Sequence, residues 1–127
     1  MVTVTSVTPD ATSAIMAENQ FNDPPSQGSQ FFMAALEATY NGAEASSTFD
    51  GSFRFKAVGP TNVSYSTFEN SCGVIPDEIS GAEVFQSGTI SGNTCWQIQS
   101  SDAAGLVMFD DPFTFGDVER IYMSLVP

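Results

Sequence analysis

The sequence predicts an all-β protein, an antiparallel sandwich or barrel of about seven to nine short strands. Three observations carry this. Val, Ile and Thr together number 27, while leucine occurs only at Leu36, Leu106 and Leu125. Eleven Phe, 3 Tyr and 1 Trp add to a composition that suits a pleated, half-buried surface better than a helix. Apolar residues also recur with period two between closely spaced turn signals.

The expected strands are 2–8, 30–41, 48–58, 62–68, 83–90, 94–100, 105–109 and 119–126. In the second, Phe32, Ala34, Leu36, Ala38 and Tyr40 form one apolar face. The stretch from Phe31 to Glu44 is rich in alanine and also compatible with helix, but alternation favours strand. Ala11 to Asn19 is the other helix candidate. In Phe53-Arg54-Phe55-Lys56-Ala57 the basic residues alternate with the apolar ones. Val63 with Tyr65, Val84, Trp96 with Ile98, and Ile121 with Met123 and Leu125 repeat the pattern.

Asn41-Gly42, Asp50-Gly51, Gly59-Pro60, Ser80-Gly81, Ser91-Gly92-Asn93 and Asp111-Pro112 read as turns, with Ser91-Gly92-Asn93 expected as a hairpin loop. Asn22 to Gly28 is the most loop-like segment, expected as a surface connection carrying the first strand across the sandwich.

The 127 residues make one domain, 1–127, large enough for a real core. Three basic residues stand against 15 acidic ones, a net charge of −12 with no histidine. That balance argues against nucleic acid and anionic lipid, which require clustered Lys and Arg. The longest apolar stretch, Ala103 to Phe109, is far short of a membrane span, so no insertion by this segment is expected. Met1-Val2-Thr3-Val4-Thr5 lacks the basic-then-apolar start of a secretory signal. The chain is then either cytoplasmic or begins after a removed leader, and low lysine with two cysteines favours an extracytoplasmic protein.

Without histidine there is no Ser-His-Asp or Cys-His arrangement and no imidazole ligand. Lys56 is the only lysine and Arg54 and Arg120 are the only arginines, so no phosphate loop or phosphate-binding cluster exists. Gly-x-Gly-x-x-Gly is absent too, and no cofactor is expected. Carboxylates are the remaining catalytic route. Asp77-Glu78 and Asp110-Asp111 are adjacent pairs whose members would point to opposite faces of a strand, and Glu37 with Glu83 is a pair only the fold can bring together. Solvated carboxylates are the simpler reading of all of them. Calcium is the metal this composition would favour, around Asp110, Asp111 and Asp117, but the spacing of a dedicated calcium loop is missing and no metal site is assigned.

Cys72 and Cys95 are the only cysteines. A zinc site lacks ligands, which leaves a disulfide, favoured and worth about 3 kcal/mol by loop entropy, or two buried thiols. Trp96 is expected in the core. Phe113 and Phe115 lie in an acidic loop and are candidates for exposure; aromatic faces of that kind can bind sugar.

From Asn19 onward one further set of features stands out. Asn19-Gln20-Phe21-Asn22 is followed by Pro25 and Gly28, and a long strand ends in Thr39-Tyr40-Asn41-Gly42. Cys72-Gly73-Val74-Ile75-Pro76 comes next, then Gly88 with Ser91-Gly92-Asn93-Thr94-Cys95-Trp96, and a last strand Arg120-Ile121-Tyr122-Met123-Ser124-Leu125. This order resembles a family of bacterial, actinobacterial-type extracytoplasmic immunoglobulin-like domains of unknown function, telokin-like and similar to a secreted mycobacterial immunogenic antigen. The resemblance implies an immunoglobulin-like sandwich, often lipid-tethered, and carries no catalytic residues.

The expected function is therefore a monomeric, non-catalytic extracytoplasmic module for a protein or glycan ligand, basic if electrostatically steered. Its first loops to test are Asn22 to Gly28 and Asp110 to Asp117. The alternatives are a small hydrolase using paired carboxylates or calcium, and a secreted inhibitor.

Overall fold

A computed structural model describes residues 2–49, 51–110 and 122–125. Its centre is the pair of long strands β2 (Ser29–Thr39) and β7 (Thr89–Gln99), antiparallel over their whole length. On β2 the residues Phe32, Ala34, Leu36 and Ala38 all face the main core, as alternation requires. Strand β1 (Val2–Thr8) completes this sheet in the order β1-β2-β7. Its valines are spaced two and then three apart, which a regular strand would place on opposite faces. A bulge resolves the conflict. Val4 pairs with Leu36 and Ser6 with Ala35, so Thr5 is skipped and Val2, Val4 and Val7 all pack on the core.

Opposite lies a four-stranded sheet, β5-β4-β8-β9, made of β4 (Phe55–Val58), β5 (Ser64–Ser66), β8 (Val107–Asp110) and β9 (Tyr122–Ser124). Its inner face carries Ala57, Tyr65, Met108 and Met123. A ribbon of β3 (Ser46–Phe49) and β6 (Ala82–Phe85) adds Phe49 and Val84 to the same core. Trp96 is fully buried, and its indole N–H donates across the core to the Phe55 carbonyl at 3.2 Å. All the ladders are antiparallel, and the protein is an all-β sandwich.

The helix candidate at Ala11 to Asn19 is realised as α1 (Thr12–Glu18). Seven residues are too few to hold a helix alone in water, so packing must supply the stability. Asp10 accepts from the Thr12 amide and hydroxyl, the Ala11 amide donates to the Phe31 carbonyl, and Ile15 is fully buried. Ala11 and Ile15 form a second small core with Phe31, Cys72, Ile75 and Cys95 on the outer face of β2 and β7. β2 is thus covered on both faces near its start.

Several sequence expectations need correction. Strand 48–58 is broken into β3, a 3₁₀ turn at Gly51–Arg54, and β4. Gly51 sits at φ 81° against the backbone of Gly81, a conformation that ends one strand and starts another. Phe53 therefore leaves the alternation and is exposed while Phe55 is buried. Strand 62–68 shortens to β5, leaving Val63 exposed although Tyr65 is buried.

Ser91-Gly92-Asn93 is not a hairpin loop but the middle of β7. The glycine is needed because the segment Asp77–Ile79 crosses there: a Cβ on Gly92 would lie 2.6 Å from the Ile79 Cα. That segment straps β7 through Asn93 N–H to the Asp77 carbonyl (2.7 Å) and Ile79 N–H to the Asn93 carbonyl (2.9 Å). The real reversal is at Gln86–Gly88, with Ser87 at φ 65°. Finally, Asn22 to Gly28 does not carry the first strand across the sandwich, since β1 and β2 are neighbours in one sheet. Of the expected last strand, residues 119–121 and 126 lie outside the described residues.

Candidate functional site

Cys72 and Cys95 form the disulfide, with Cα atoms 6.1 Å apart. It ties the loop after β5 to β7 over the small core. Asn22 clasps the same loop: its side-chain amide donates to the carbonyls of Ile15 (2.8 Å) and Val74 (2.7 Å) and its oxygen accepts from the Val74 amide (2.9 Å). Gly73, at φ 86°, leaves the room that oxygen needs. Asn22 is therefore committed to the fold and is withdrawn from the loop expected to bind.

The candidate carboxylates have separate fates. Asp110 accepts side-on from Arg54, Nε at 2.6 Å and Nη2 at 2.9 Å, so the fold engages it with a cation. Glu78 accepts from the Ser52 hydroxyl. Glu37 is exposed on the outer face of β2 and Glu83 is exposed on β6, in a different sheet. Among the described residues no group of three acidic or Cys side chains could hold a metal. Asp111, Asp117, Phe113 and Phe115 lie outside the described residues.

The convergence that sequence reading missed is at Asp102. It is wholly buried in the 3₁₀ turn Ser100–Gly105, where the chain passes from β7 to β8 and so changes sheet. It accepts from the Thr61 amide (3.0 Å), the Thr61 hydroxyl (2.7 Å) and the Tyr65 phenol (2.6 Å). Burial pushes its pKa up, but these donors outweigh burial and hold the carboxyl below its ordinary value. Burial, then the bond to Asp102, raise the Tyr65 phenol. Both carboxylate oxygens have fixed protein donors, and the group acts as a clasp between the Gly59–Asn62 turn and the sheet crossing.

Among the described residues two surfaces offer room for a ligand. The first lies on the outer face of the four-stranded sheet, where register aligns Ser66, Lys56, Phe109 and Tyr122 in one row; Phe109 is itself buried, and the open groove is at the β5 end. At the β5 end of that row Phe53 (53% exposed) and Phe68 (78% exposed) border a groove of about 430 Å³ with Lys56, Ser64, Ser66 and Glu69. The loop carrying Phe68 is braced: Asn70 and Ser66 exchange bonds, Glu69 N–H donates to the Ser66 hydroxyl, and the Thr67 hydroxyl donates to the Ser52 carbonyl. The signal for this site was Phe53 on a turn beside Asp50-Gly51, which strict alternation hid.

The second is a cleft of about 360 Å³ at one end of the sandwich, between the β3–β6 ribbon and the end of β2. Ala38, Phe49 and Val84 line its interior, Val2 and Ile90 its walls, and Thr39, Asn41, Ser47 and Thr48 add polar groups. Among the described residues Arg54 is the one charged residue lining it. Comparison with known proteins finds no matching family model, no matching curated protein and no matching solved structure. The functional reading rests on the chain's own residues.

Proposed function

We propose that this chain is an extracytoplasmic binding module of the immunoglobulin-like kind, without catalytic activity, and that it holds a glycan in the Phe53–Phe68 groove. The observation that carries the reading is the pair of exposed phenylalanines on a braced edge, between which hydroxyls, one amine and one carboxylate supply hydrogen-bonding groups. Phenyl faces receive the apolar C–H faces of a sugar, and the flanking polar groups receive its hydroxyls. The disulfide supports an extracytoplasmic setting. The engagement of Asp110 and Asp102 by fixed donors supports binding over hydrolysis.

The test is titration of the isotope-labelled protein with soluble chitin, mannan and cellulose oligosaccharides. Amide shifts at Phe53, Lys56 and Ser64–Glu69 are expected with one of them. Phe68→Ala should weaken that binding about fivefold to tenfold, the scale of one lost aromatic contact. Affinity should be nearly independent of salt, since a neutral ligand gains nothing from the acidic surface. Strongly salt-dependent binding to a basic protein at these residues would replace the glycan with a protein partner. Turnover of an oligosaccharide, abolished by one Asp or Glu replacement in a folded protein, would overturn the non-catalytic reading.

A further inference from the structure

The end cleft is the stronger geometric site, because its polar anchor is already built. Its interior is the end of the main core: Ala38, Phe49 and Val84 are each 8% exposed. Arg54 lies with its guanidinium carbon 5.8 Å from the centre of the Phe49 ring, so the cation rests against apolar floor. Its bond to Asp110 is side-on, using Nε and Nη2. Among the described residues the Arg54 side chain bonds only to Asp110, and side-on engagement leaves the other edge of the guanidinium, one N–H of Nη1 and one of Nη2, as a parallel pair of donors. Asp110 fixes the plane of that fork and offsets the cost of holding a cation over an apolar surface.

We infer that this cleft is a binding site for a small amphipathic carboxylate, its apolar body against Ala38, Phe49, Val84 and Ile90 and its head received end-on by Arg54. Apolar lining supplies most of the affinity, and the fork sets orientation and selects a planar, two-oxygen head over a single hydroxyl. The site is separate from the Phe53–Phe68 groove, so neither reading depends on the other.

Octanoate and octan-1-ol, each titrated against labelled protein, test this. Octanoate should shift amides at Ala38–Gly42, Ser47–Phe49, Val84 and Ile90, and octan-1-ol should bind about tenfold more weakly, the scale of one charge-assisted pair. Arg54→Lys keeps the charge and removes the fork, and it should narrow that preference; a preference left at its wild-type value would overturn the role given to the fork. Ser47→Trp, on the same face of β3 as Phe49 and opposite Val84, fills the mouth, leaves the ion pair intact and should remove binding of both probes, which keeps the test decisive even if the Arg54 variant fails to fold. Equal affinity for the two probes would overturn the inference. So would shifts scattered away from the cleft, or octanoate binding that survives Ser47→Trp.

Discussion

Replacing Asp102 by Asn isolates the buried clasp. The substitution keeps the shape and removes the charge, so the Gly59 contact, where a Cβ would sit 2.5 Å from that of Asp102, is undisturbed. Three donors converge on the two carboxylate oxygens. An amide has one oxygen, and its NH2 must face either the Thr61 amide or the Tyr65 phenol. In the first orientation Thr61 N–H is orphaned. In the second the phenol, already accepting from Gln99 N–H at 3.2 Å, has no acceptor for its own proton. One unsatisfied buried donor costs about 1–3 kcal/mol, and the remaining bonds lose their ionic assistance. Relief of carboxylate desolvation offsets part of this, leaving a net loss of about 2–3 kcal/mol at pH 7. Urea unfolding of both proteins across pH measures it. A carboxyl whose folded pKa is depressed contributes stability above its unfolded pKa of about 3.9, and loses it as pH falls through the lower folded value. The gap between wild type and Asp102→Asn should therefore be constant from neutrality to about pH 5 and narrow below pH 4. Other carboxylates titrate in both proteins and cancel in the difference. Equal stability at pH 7, or a gap that persists undiminished at low pH, would refute the clasp.

Two further outcomes are expected. Replacing both Cys72 and Cys95 by Ala opens a loop of sequence separation 23, worth about 3.4 kcal/mol by chain entropy, and a loss between about 2 and 5 kcal/mol should appear in urea unfolding against the oxidised protein. An unchanged midpoint would reject the cross-link as a stabilising element. Gly92→Ala should cost about 1–3 kcal/mol, because the new methyl meets the Ile79 backbone rather than a movable side-chain tip, and hydrogen exchange at Ile79 and Asn93 should quicken. Wild-type exchange at those amides would show that Asp77–Ile79 does not strap β7.

The sites divide by how far apart their parts lie in the chain. The Phe53–Phe68 groove was half legible: turn residues at Asp50-Gly51 announced a break, and a phenylalanine just after a break need not obey strand alternation. The end cleft was not legible, because its anchor joins Arg54 to Asp110 across 56 positions and its fork exists only by virtue of that pairing. The Asp102 clasp spans 37 positions to Tyr65 and 41 to Thr61, and nothing local distinguishes this carboxylate from its solvated neighbours.

By itself the sequence determined strand character, the core face of β2 and the burial of Trp96, and it favoured a Cys72–Cys95 bond over two buried thiols. These follow from period-two alternation, β-branched composition and an even pair of cysteines, all local or compositional quantities. Only the tertiary structure decided which strands are neighbours, that Gly92 marks a crossing rather than a turn, and which carboxylates face donors. Glycine serves a tight turn and a close approach equally well, and a carboxylate is acidic wherever it sits. Their roles are set by what the folded chain brings within about 3 Å of them, which depends on sheet order and register rather than on neighbours in sequence.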